Sequence, residues 1–356
     1  MSYDTWLQEP PYAVTKEKKE AWFCEEMSEL TQYHKEHCKP YGKFIKMKKV
    51  PETFASMSEI PFLPVSLFKG LDLKSVEDQD VFKILTSSGT TGQAVSKIYL
   101  DQKTAFNQQK TLYRILEEVI GPKRVPMLIL DTPEVIKNRK MFTARGAGIL
   151  GFAIVSSKRH FAFREDMSLD YEGIQEFLEK NAEGPVLVFG FTYMIWKHFY
   201  KALKESGKTL PLERGVMIHG GGWKKLQNEA VDAAEFNKAI EEVSGMKKIY
   251  NYYGMAEQTG CIYLQCPCGY FHASTYSDIM IRDGNDFTVC PPGKEGIIQV
   301  LSPLARSYPG HSLITEDQGI LQGIDDCKCG WKGKYFTITG RIKHAEVRGC
   351  SDTYEG

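Results

Sequence analysis

Residues 85–97 read Leu85-Thr86-Ser87-Ser88-Gly89-Thr90-Thr91-Gly92-Gln93-Ala94-Val95-Ser96-Lys97, and this segment organises the rest of the chain. It places six hydroxyl side chains, two glycines and a lysine between two short runs of strand character, 81–84 and 97–100. Glycine lets backbone amides approach a ligand, hydroxyls donate hydrogen bonds, and Lys97 adds a positive charge, so the pattern indicates a strand–loop–strand that binds phosphates. It is not a Walker loop, because no Gly-Lys-Ser/Thr follows. A solvated turn has the same composition.

Size and charge set the limits of what the chain can be. Its 356 residues, 42% hydrophobic and 25% charged, suffice for one large core or two domains. Forty-five basic residues balance forty-five acidic ones, which argues against nucleic acid or a membrane surface as partner. There is no apolar run of about 18 residues and no signal sequence at the start, so we expect a cytoplasmic protein without a membrane span. Nine cysteines in such a protein favour metal or catalytic thiols over disulfides.

The pattern along the chain predicts an α/β fold. Residues 1–75 form a helical preamble interrupted by an extended, proline-rich stretch at 61–69. Residues 76–260 alternate strand-like and helix-like runs, as in buried, largely parallel sheets flanked by helices. Residues 261–340 consist of short β segments with cysteine pairs, and 341–356 form a tail. The predicted strands are 125–130, 148–155, 185–189, 215–218 and 247–252, and the predicted helices are 103–120 (capped by Asp101), 192–203 and 228–243.

Two further segments carry residues suited to a nucleotide. Gly220, Gly221 and Gly222 follow the predicted strand 215–218, where bare backbone lets a flat ligand lie against the sheet edge. Tyr253 can stack on a base, and Glu257 can hold a magnesium ion that bridges phosphates. A loose turn and a packed tyrosine cluster are the alternative interpretations of these residues.

In chain order, the phosphate loop, the glycine loop and Tyr253-Gly254-Met255-Ala256-Glu257 resemble the adenylate-forming (acyl-AMP-forming) enzyme superfamily. The resemblance extends to Thr315-Glu316-Asp317, whose aspartate is implied to grip the ribose hydroxyls, and to Gly340-Arg341, the hinge before the small C-terminal domain. Only fifteen residues follow Arg341, so we expect that domain, with its catalytic lysine, to be absent or vestigial. Lys97, Lys343 or a partner subunit would then supply the positive charge.

Nearly the whole chain is similar to the LuxE family of acyl-protein synthetases, which belong to bacterial fatty acid reductase systems. The similarity covers 61–69, the phosphate loop, 219–224 and 340–350. It implies activation of a fatty acid with ATP and Mg²⁺, transfer of the acyl group to Cys350 as a thioester, and delivery to a reductase partner. Arg348, Lys343 and His344 would favour the Cys350 thiolate. Apolar residues of 148–155 and 185–196 are candidates for the acyl pocket.

Two alternatives remain open at this point. One is an acyl- or aryl-CoA ligase or carrier-protein loading enzyme, whose acceptor thiol is external and for which Cys350 is incidental. The other is a scaffold that binds an adenylate without catalysis. Neither the acyl chain nor the oligomeric state follows from the sequence.

Two Cys-x-Cys-Gly turns predict a structural metal site. Cys266 and Cys268 form the first pair and Cys327 and Cys329 the second. Four thiolates from two tight turns give the closed tetrahedral coordination of structural zinc, with no open position for a substrate. Unligated thiols, or a site that uses His272, are the alternatives.

Overall fold

The computed structural model describes residues 3–87, 95–137 and 144–342. Its α-helices, in chain order, are α1 (Tyr3–Trp6), α2 (Lys16–His37), α3 (Lys39–Lys48), α4 (Leu67–Gly70), α5 (Gln102–Ile120), α6 (Glu134–Lys137), α7 (Ala144–Phe152), α8 (Tyr171–Lys180), α9 (Thr192–Met194), α10 (Lys201–Ser206) and α11 (Ala233–Ser244). A π-helical segment, Ile195–Tyr200, joins α9 to α10.

The strands, in chain order, are β1 (Leu63–Pro64), β2 (Lys83–Thr86), β3 (Lys97–Leu100), β4 (Val125–Ile129), β5 (Ser156–Phe161), β6 (Val186–Phe191), β7 (Gly215–Gly220), β8 (Lys248–Tyr253), β9 (Tyr263–Gln265), β10 (Phe271–His272), β11 (Asp278–Arg282), β12 (Glu295–Leu301), β13 (Ser312–Ile324) and β14 (Lys334–Arg341).

The chain divides into two compact units. The first takes the chain up to Ile115 and resumes at Gly254, and the second runs from Leu116 to Tyr253. Backbone contacts explain why the preamble and the β-rich region share a unit: Thr275 N–H donates to Pro11 O at 2.5 Å, and Lys332 N–H to Tyr12 O at 2.8 Å. The four segments predicted from the sequence (1–75, 76–260, 261–340 and 341–356) follow changes in the residue pattern. The first compact unit instead combines segments that are far apart in the chain.

The second unit contains the expected parallel sheet, in the order β5-β4-β6-β7-β8. All residues of β6 and β7 are buried, as in a sheet that is covered on both faces. Parallel strands end at one edge, so Phe191, Gly220 and Tyr252 follow one another across neighbouring strands. This confirms the predicted α/β architecture.

The predicted strand at 148–155 is wrong. These residues lie in helix α7 and the following turn, and the strand comes later, at β5. Ile149, Phe152 and Val155 are buried, a spacing of three that suits a helix. A continuous apolar run does not distinguish a helix from a buried strand by periodicity alone, which explains the error.

The first unit is built on an antiparallel sheet in the order β11-β12-β13-β14-β10-β9. The proline-rich stretch supplies β1, which is extended as predicted and runs parallel to β13 with Leu63 opposite Leu313. A proline fits such a two-residue edge strand because it has no N–H to donate to a ladder.

Candidate active site and cysteine cluster

The phosphate-loop segment is a hairpin, as predicted. Strands β2 and β3 pair antiparallel with Thr86 opposite Lys97. Beyond them, Ser87 N–H donates to Ser96 O at 3.1 Å, and Ser96 N–H donates to Ser87 Oγ at 2.9 Å. Ser87 therefore closes the base of the loop. The other predicted phosphate-binding residues, Ser88, Gly89, Thr90, Thr91 and Gly92, lie outside the described residues.

Lys97 is exposed at the base of this hairpin. Its Nζ lies 3.7 Å from Asp72 Oδ1, and the hydroxyl of Tyr99 donates to the same oxygen at 2.6 Å. The Tyr99 hydrogen bond, and after it the charge of Lys97, lower the pKa of Asp72. An exposed ion pair of this kind is weak, so Lys97 can exchange its carboxylate partner for a phosphate.

The glycine loop of the second unit begins at the end of β7, and each glycine meets different surroundings. A Cβ on Gly220 would lie 2.6 Å from Cε1 of Tyr252, and Gly221 has φ +80°, where a side chain is strained. Gly222 has open space where its side chain would be. A side chain at Gly220 or Gly221 would thus meet a close contact or a strained backbone, whereas the space beside Gly222 is open.

His219 and Thr192 fix the start of that loop. The Thr192 hydroxyl donates to Gly220 O at 3.2 Å and lies 3.0 Å from His219 Nδ1. The imidazole stacks on Phe236 with ring centroids 4.5 Å apart, and burial lowers the pKa of His219 to about 3, so the ring is neutral at pH 7. Thr192 was missed from sequence, because a threonine at the first position of a helix is too common to indicate a function.

Tyr253 ends β8 and is half-buried. The preceding tyrosine, Tyr252, packs against Phe152 and Phe189 with centroid distances of 5.0 and 6.4 Å. Successive strand residues point to opposite faces, so Tyr253 lies on the face away from this aromatic cluster.

Glu257 lies in the short turn Ala256–Gln258 of the first unit and is only 4% exposed. The hydroxyl of Tyr308 donates to Glu257 O at 3.0 Å. Gln258 Nε2 donates to Val300 O at 3.1 Å and Gly310 O at 2.8 Å. These bonds hold the turn in place, and a buried carboxylate is suited to binding a cation.

Asp317 and Arg341, predicted from two separate motifs, form one pair in the structure. They face each other on β13 and β14, with Arg341 Nε 3.1 Å from Asp317 Oδ1. Thr315 Oγ1 accepts from Asp317 N–H at 3.1 Å and donates to Ile298 O at 2.8 Å. The threonine thus orients the aspartate backbone, while the arginine orients its carboxylate.

The cysteine cluster of the first unit contains three of the four predicted thiols. The ligand atoms of Cys266, Cys327, Cys329 and His272 all lie within 4.8 Å of one another. Cys268 is exposed and lies outside this group, so the four-thiolate arrangement expected from sequence is replaced by three thiols and an imidazole. The donors fit a soft divalent metal ion such as zinc.

Comparison with known proteins decides the family. The family model described as acyl-protein synthetase, LuxE, matches residues 2–355. The chain belongs to the LuxE acyl-protein synthetase family. Membership of this family makes it a ligase that depends on ATP, as the resemblance implied.

Two relatives of this LuxE chain carry the same name, long-chain-fatty-acid–luciferin-component ligase. The Vibrio harveyi protein is 23% identical over an alignment of 354 positions that covers 93% of this chain and 88% of the relative. The Aliivibrio fischeri protein is 23% identical over an alignment of 360 positions that covers 94% of this chain and 90% of the relative.

Solved structures place the LuxE chain among the adenylate-forming folds. A 2-hydroxyisobutyryl-CoA ligase in the postadenylation state superposes with a TM-score of 0.70 at 14% identity, covering 93% of this chain and 69% of that ligase. At this identity the likeness shows the fold alone, and the fold is the predicted one.

Two further predictions concern the residues after Arg341 and the absence of a membrane span. Cys350, with Lys343, His344 and Arg348, lies outside the described residues. Among the helices that are described, none is both long enough and apolar enough to cross a membrane.

Proposed function

We propose that this chain activates a fatty acid with ATP to an acyl-adenylate, and then transfers the acyl group to Cys350 and onward to a partner such as a fatty acid reductase. One observation carries the proposal: the match to an acyl-protein synthetase family continues to residue 355 and so includes Cys350. The long-chain-fatty-acid names of the two relatives support a fatty acid as substrate. We place the reaction in the cytoplasm.

In the first step a carboxylate oxygen of the acid attacks the α-phosphorus of ATP, and the bond to pyrophosphate breaks. Lys97, exposed and paired with Asp72 in the described part of the chain, moves its charge to the phosphates, beside the donors of residues 87–92. Asp317, oriented by Arg341, accepts from the ribose hydroxyls. Gly220, Gly221, Gly222 and Tyr253 are the proposed adenine contacts.

Glu257 is the residue that fits magnesium, because its carboxylate is buried on a turn that Tyr308 and Gln258 hold in place. Magnesium, when bound, stabilises the negative charge on the phosphates. Zinc is the proposed ion of the cysteine cluster, where it has a structural role and takes no part in acyl transfer.

In the second step the Cys350 thiolate attacks the acyl carbonyl carbon, a thioester forms, and AMP leaves with the electrons of the broken acyl–phosphate bond. The acyl group then passes from sulfur to a nucleophile of the partner protein. A cysteine suits this role when its thiolate can reach two sites in turn.

The test is intact-protein mass spectrometry after incubation with ATP, magnesium and a panel of fatty acids. We expect a hydroxylamine-sensitive mass gain of one acyl group on the wild type and none on Cys350→Ser. The matched control is Cys268→Ser, which removes an exposed thiol and should leave acylation intact.

The outcomes separate the alternatives. Acylation that persists in Cys350→Ser would falsify the role of this residue. Pyrophosphate release that requires coenzyme A, without any acyl-protein, would instead identify an acyl-CoA ligase with an external acceptor. A chain that releases no pyrophosphate with any acid would be a scaffold.

A further inference from the structure

The two Cys-x-Cys-Gly turns share one backbone geometry. Gly269 N–H donates to Cys266 O at 2.8 Å, and Gly330 N–H donates to Cys327 O at 3.0 Å. Both glycines have positive φ, +86° and +90°, which a residue with a side chain rarely adopts. Each turn buries its first cysteine, and the two buried sulfurs of Cys266 and Cys327 lie 3.9 Å apart.

The fourth position near these sulfurs belongs to a histidine. His272 is fully buried on β10, and its Nε2 lies 3.6 Å from Cys329 Sγ. Its ring stacks on Tyr335 at 5.4 Å and meets Trp331 edge-on at 5.3 Å, so packing fixes its direction. Cys268, in contrast, is exposed to solvent.

These distances match tetrahedral zinc coordination. With zinc–sulfur bonds of about 2.3 Å and zinc–nitrogen bonds of about 2.0 Å, tetrahedral ligands are about 3.8 Å apart for two sulfurs and about 3.5 Å apart for sulfur and nitrogen. The observed 3.9 Å and 3.6 Å agree with both values. A disulfide requires sulfurs about 2.05 Å apart, and it would leave the imidazole and the third thiol unexplained.

We infer that Cys266, His272, Cys327 and Cys329 bind one zinc ion as a three-thiolate, one-imidazole site, and that Cys268 remains a free surface thiol. This inference rests on the zinc proposal above and deepens it by assigning the four ligands and excluding Cys268. Thiolate and imidazole donors select zinc over magnesium or calcium, which prefer oxygen. The closed set of four protein ligands indicates a structural ion.

The site fastens three distant parts of the first unit. Cys266 and His272 belong to the β9–β10 hairpin, whereas Cys327 and Cys329 belong to the connection from β13 to β14. The backbone N–H of Trp331 donates to Cys329 Sγ at 3.4 Å. The Trp331 ring stacks on Tyr12 of the preamble, with ring centroids 4.1 Å apart. Zinc therefore ties the preamble to the strands that carry Asp317 and Arg341.

The experiment measures zinc by mass spectrometry in the purified full chain and in single variants. We expect one zinc per chain in the wild type and in Cys268→Ser, and loss of zinc in Cys327→Ser and His272→Ala. His272→Cys, which restores a fourth soft ligand at the same position, should regain the ion. Because Cys268 is exposed, its substitution tests the ligand set without risk to folding.

Cobalt substitution adds a direct count of the thiolates. The intensity of the sulfur-to-cobalt charge-transfer absorption per bound ion should be the same in the wild type and Cys268→Ser. A drop by about a quarter, or loss of zinc from Cys268→Ser, would show that Cys268 is a ligand and overturn the inference. A wild-type chain free of metal, or one with a Cys266–Cys327 disulfide, would overturn it as well.

Zinc content is measured without ATP or fatty acid. A failure of the acyl-transfer proposal therefore leaves the zinc result standing, and the reverse also holds.

Discussion

Two lysine–aspartate pairs of the first unit use the same chemical groups in opposite surroundings. Lys19 Nζ lies 3.0 Å from Asp278 Oδ2, with side chains that are 2% and 3% exposed. Lys97 Nζ lies 3.7 Å from Asp72 Oδ1, with side chains that are 54% and 66% exposed. The first pair joins helix α2 to strand β11, and the second stands at the base of the phosphate-loop hairpin.

The buried pair has a fixed partner for every charge. Asp278 also accepts from Lys334, whose Nζ is 2.8 Å from Oδ1, and Lys19 donates to the carbonyl oxygens of Ser274 and Ser277. Burial alone would raise the pKa of Asp278, but the two lysines outweigh it and hold the pKa at about 2. Such a network is structural, because its charged groups are buried and bound to one another.

In the exposed pair, water competes with each side chain for the charge of the other. Its members gain little from each other, so a phosphate can displace the carboxylate from Lys97 at small cost. Burial therefore distinguishes Lys19, which stabilises the fold, from Lys97, which is accessible to a ligand. Substitution of Lys19 should change the free energy of unfolding, and substitution of Lys97 should change the reaction rate.

Lys19→Met should cause the largest change, a loss of about 3 to 5 kcal/mol in the free energy of unfolding. The substitution leaves Asp278 with one lysine in a buried site and removes the donor from two carbonyl oxygens. Urea unfolding measures the change. Lys18→Met, on the same helix but exposed, is the matched control and should cost less than about 1 kcal/mol. Equal effects of the two variants would show that the buried network is unimportant.

The sequence could have indicated that Lys19 is buried. This residue shows why the roles of side chains are harder to predict than helices and strands. Lys19 falls at helical spacing with Trp22, Phe23, Met27 and Leu30, all of which are buried. A lysine on that face predicts a buried partner, but its partner Asp278 is about 260 residues away. Pairing across such separations is a property of the tertiary fold.

Sequence patterns predicted structure well where the contacts join residues that are close in sequence. The hairpin β2–β3 and helix α5 were predicted from turn and cap chemistry, and Asp101 Oδ1 does accept from Thr104 N–H at 2.6 Å. The structure leaves Cys268 outside the group of close thiols for the opposite reason. Spacing along the chain cannot show that β10 brings His272 nearer to the other sulfurs.

If Lys97 has the role proposed above, Lys97→Met should reduce the rate of pyrophosphate formation by about 10²- to 10³-fold, because the charge proposed to stabilise the transferring phosphates is lost. The free energy of unfolding should stay within about 0.5 kcal/mol of wild type, since the side chain is exposed. Lys83→Met, on the partner strand β2, is the control and should keep its rate. A Lys97 variant that unfolds early but turns over normally would reverse the comparison.

The buried pair should also make the free energy of unfolding depend on pH, with a smaller change. The pKa of Asp278 is about 2 in the folded chain and about 3.9 when unfolded, so its contribution of about 2 to 3 kcal/mol is present above pH 4. It is lost as the pH falls from about 4 towards 2, because the unfolded chain then binds the proton more readily. Unfolding titrations of the wild type and Asp278→Asn should converge in that range. Curves that stay parallel down to pH 2 would contradict this account.

Asp72→Asn should have the smallest effect, at most about fivefold on the KM for ATP, because the contacts of an exposed pair are weak. The amide keeps an acceptor for the Tyr99 hydroxyl but loses the charge that competes with phosphate for Lys97. We therefore expect a lower KM for ATP with an unchanged maximal rate and unchanged stability, measured by steady-state pyrophosphate release and thermal unfolding. A higher KM would mean that Asp72 places Lys97 in its working position instead of competing with the nucleotide. Tyr99→Phe distinguishes the two roles, because it removes the hydrogen bond and leaves the charge of Asp72 in place.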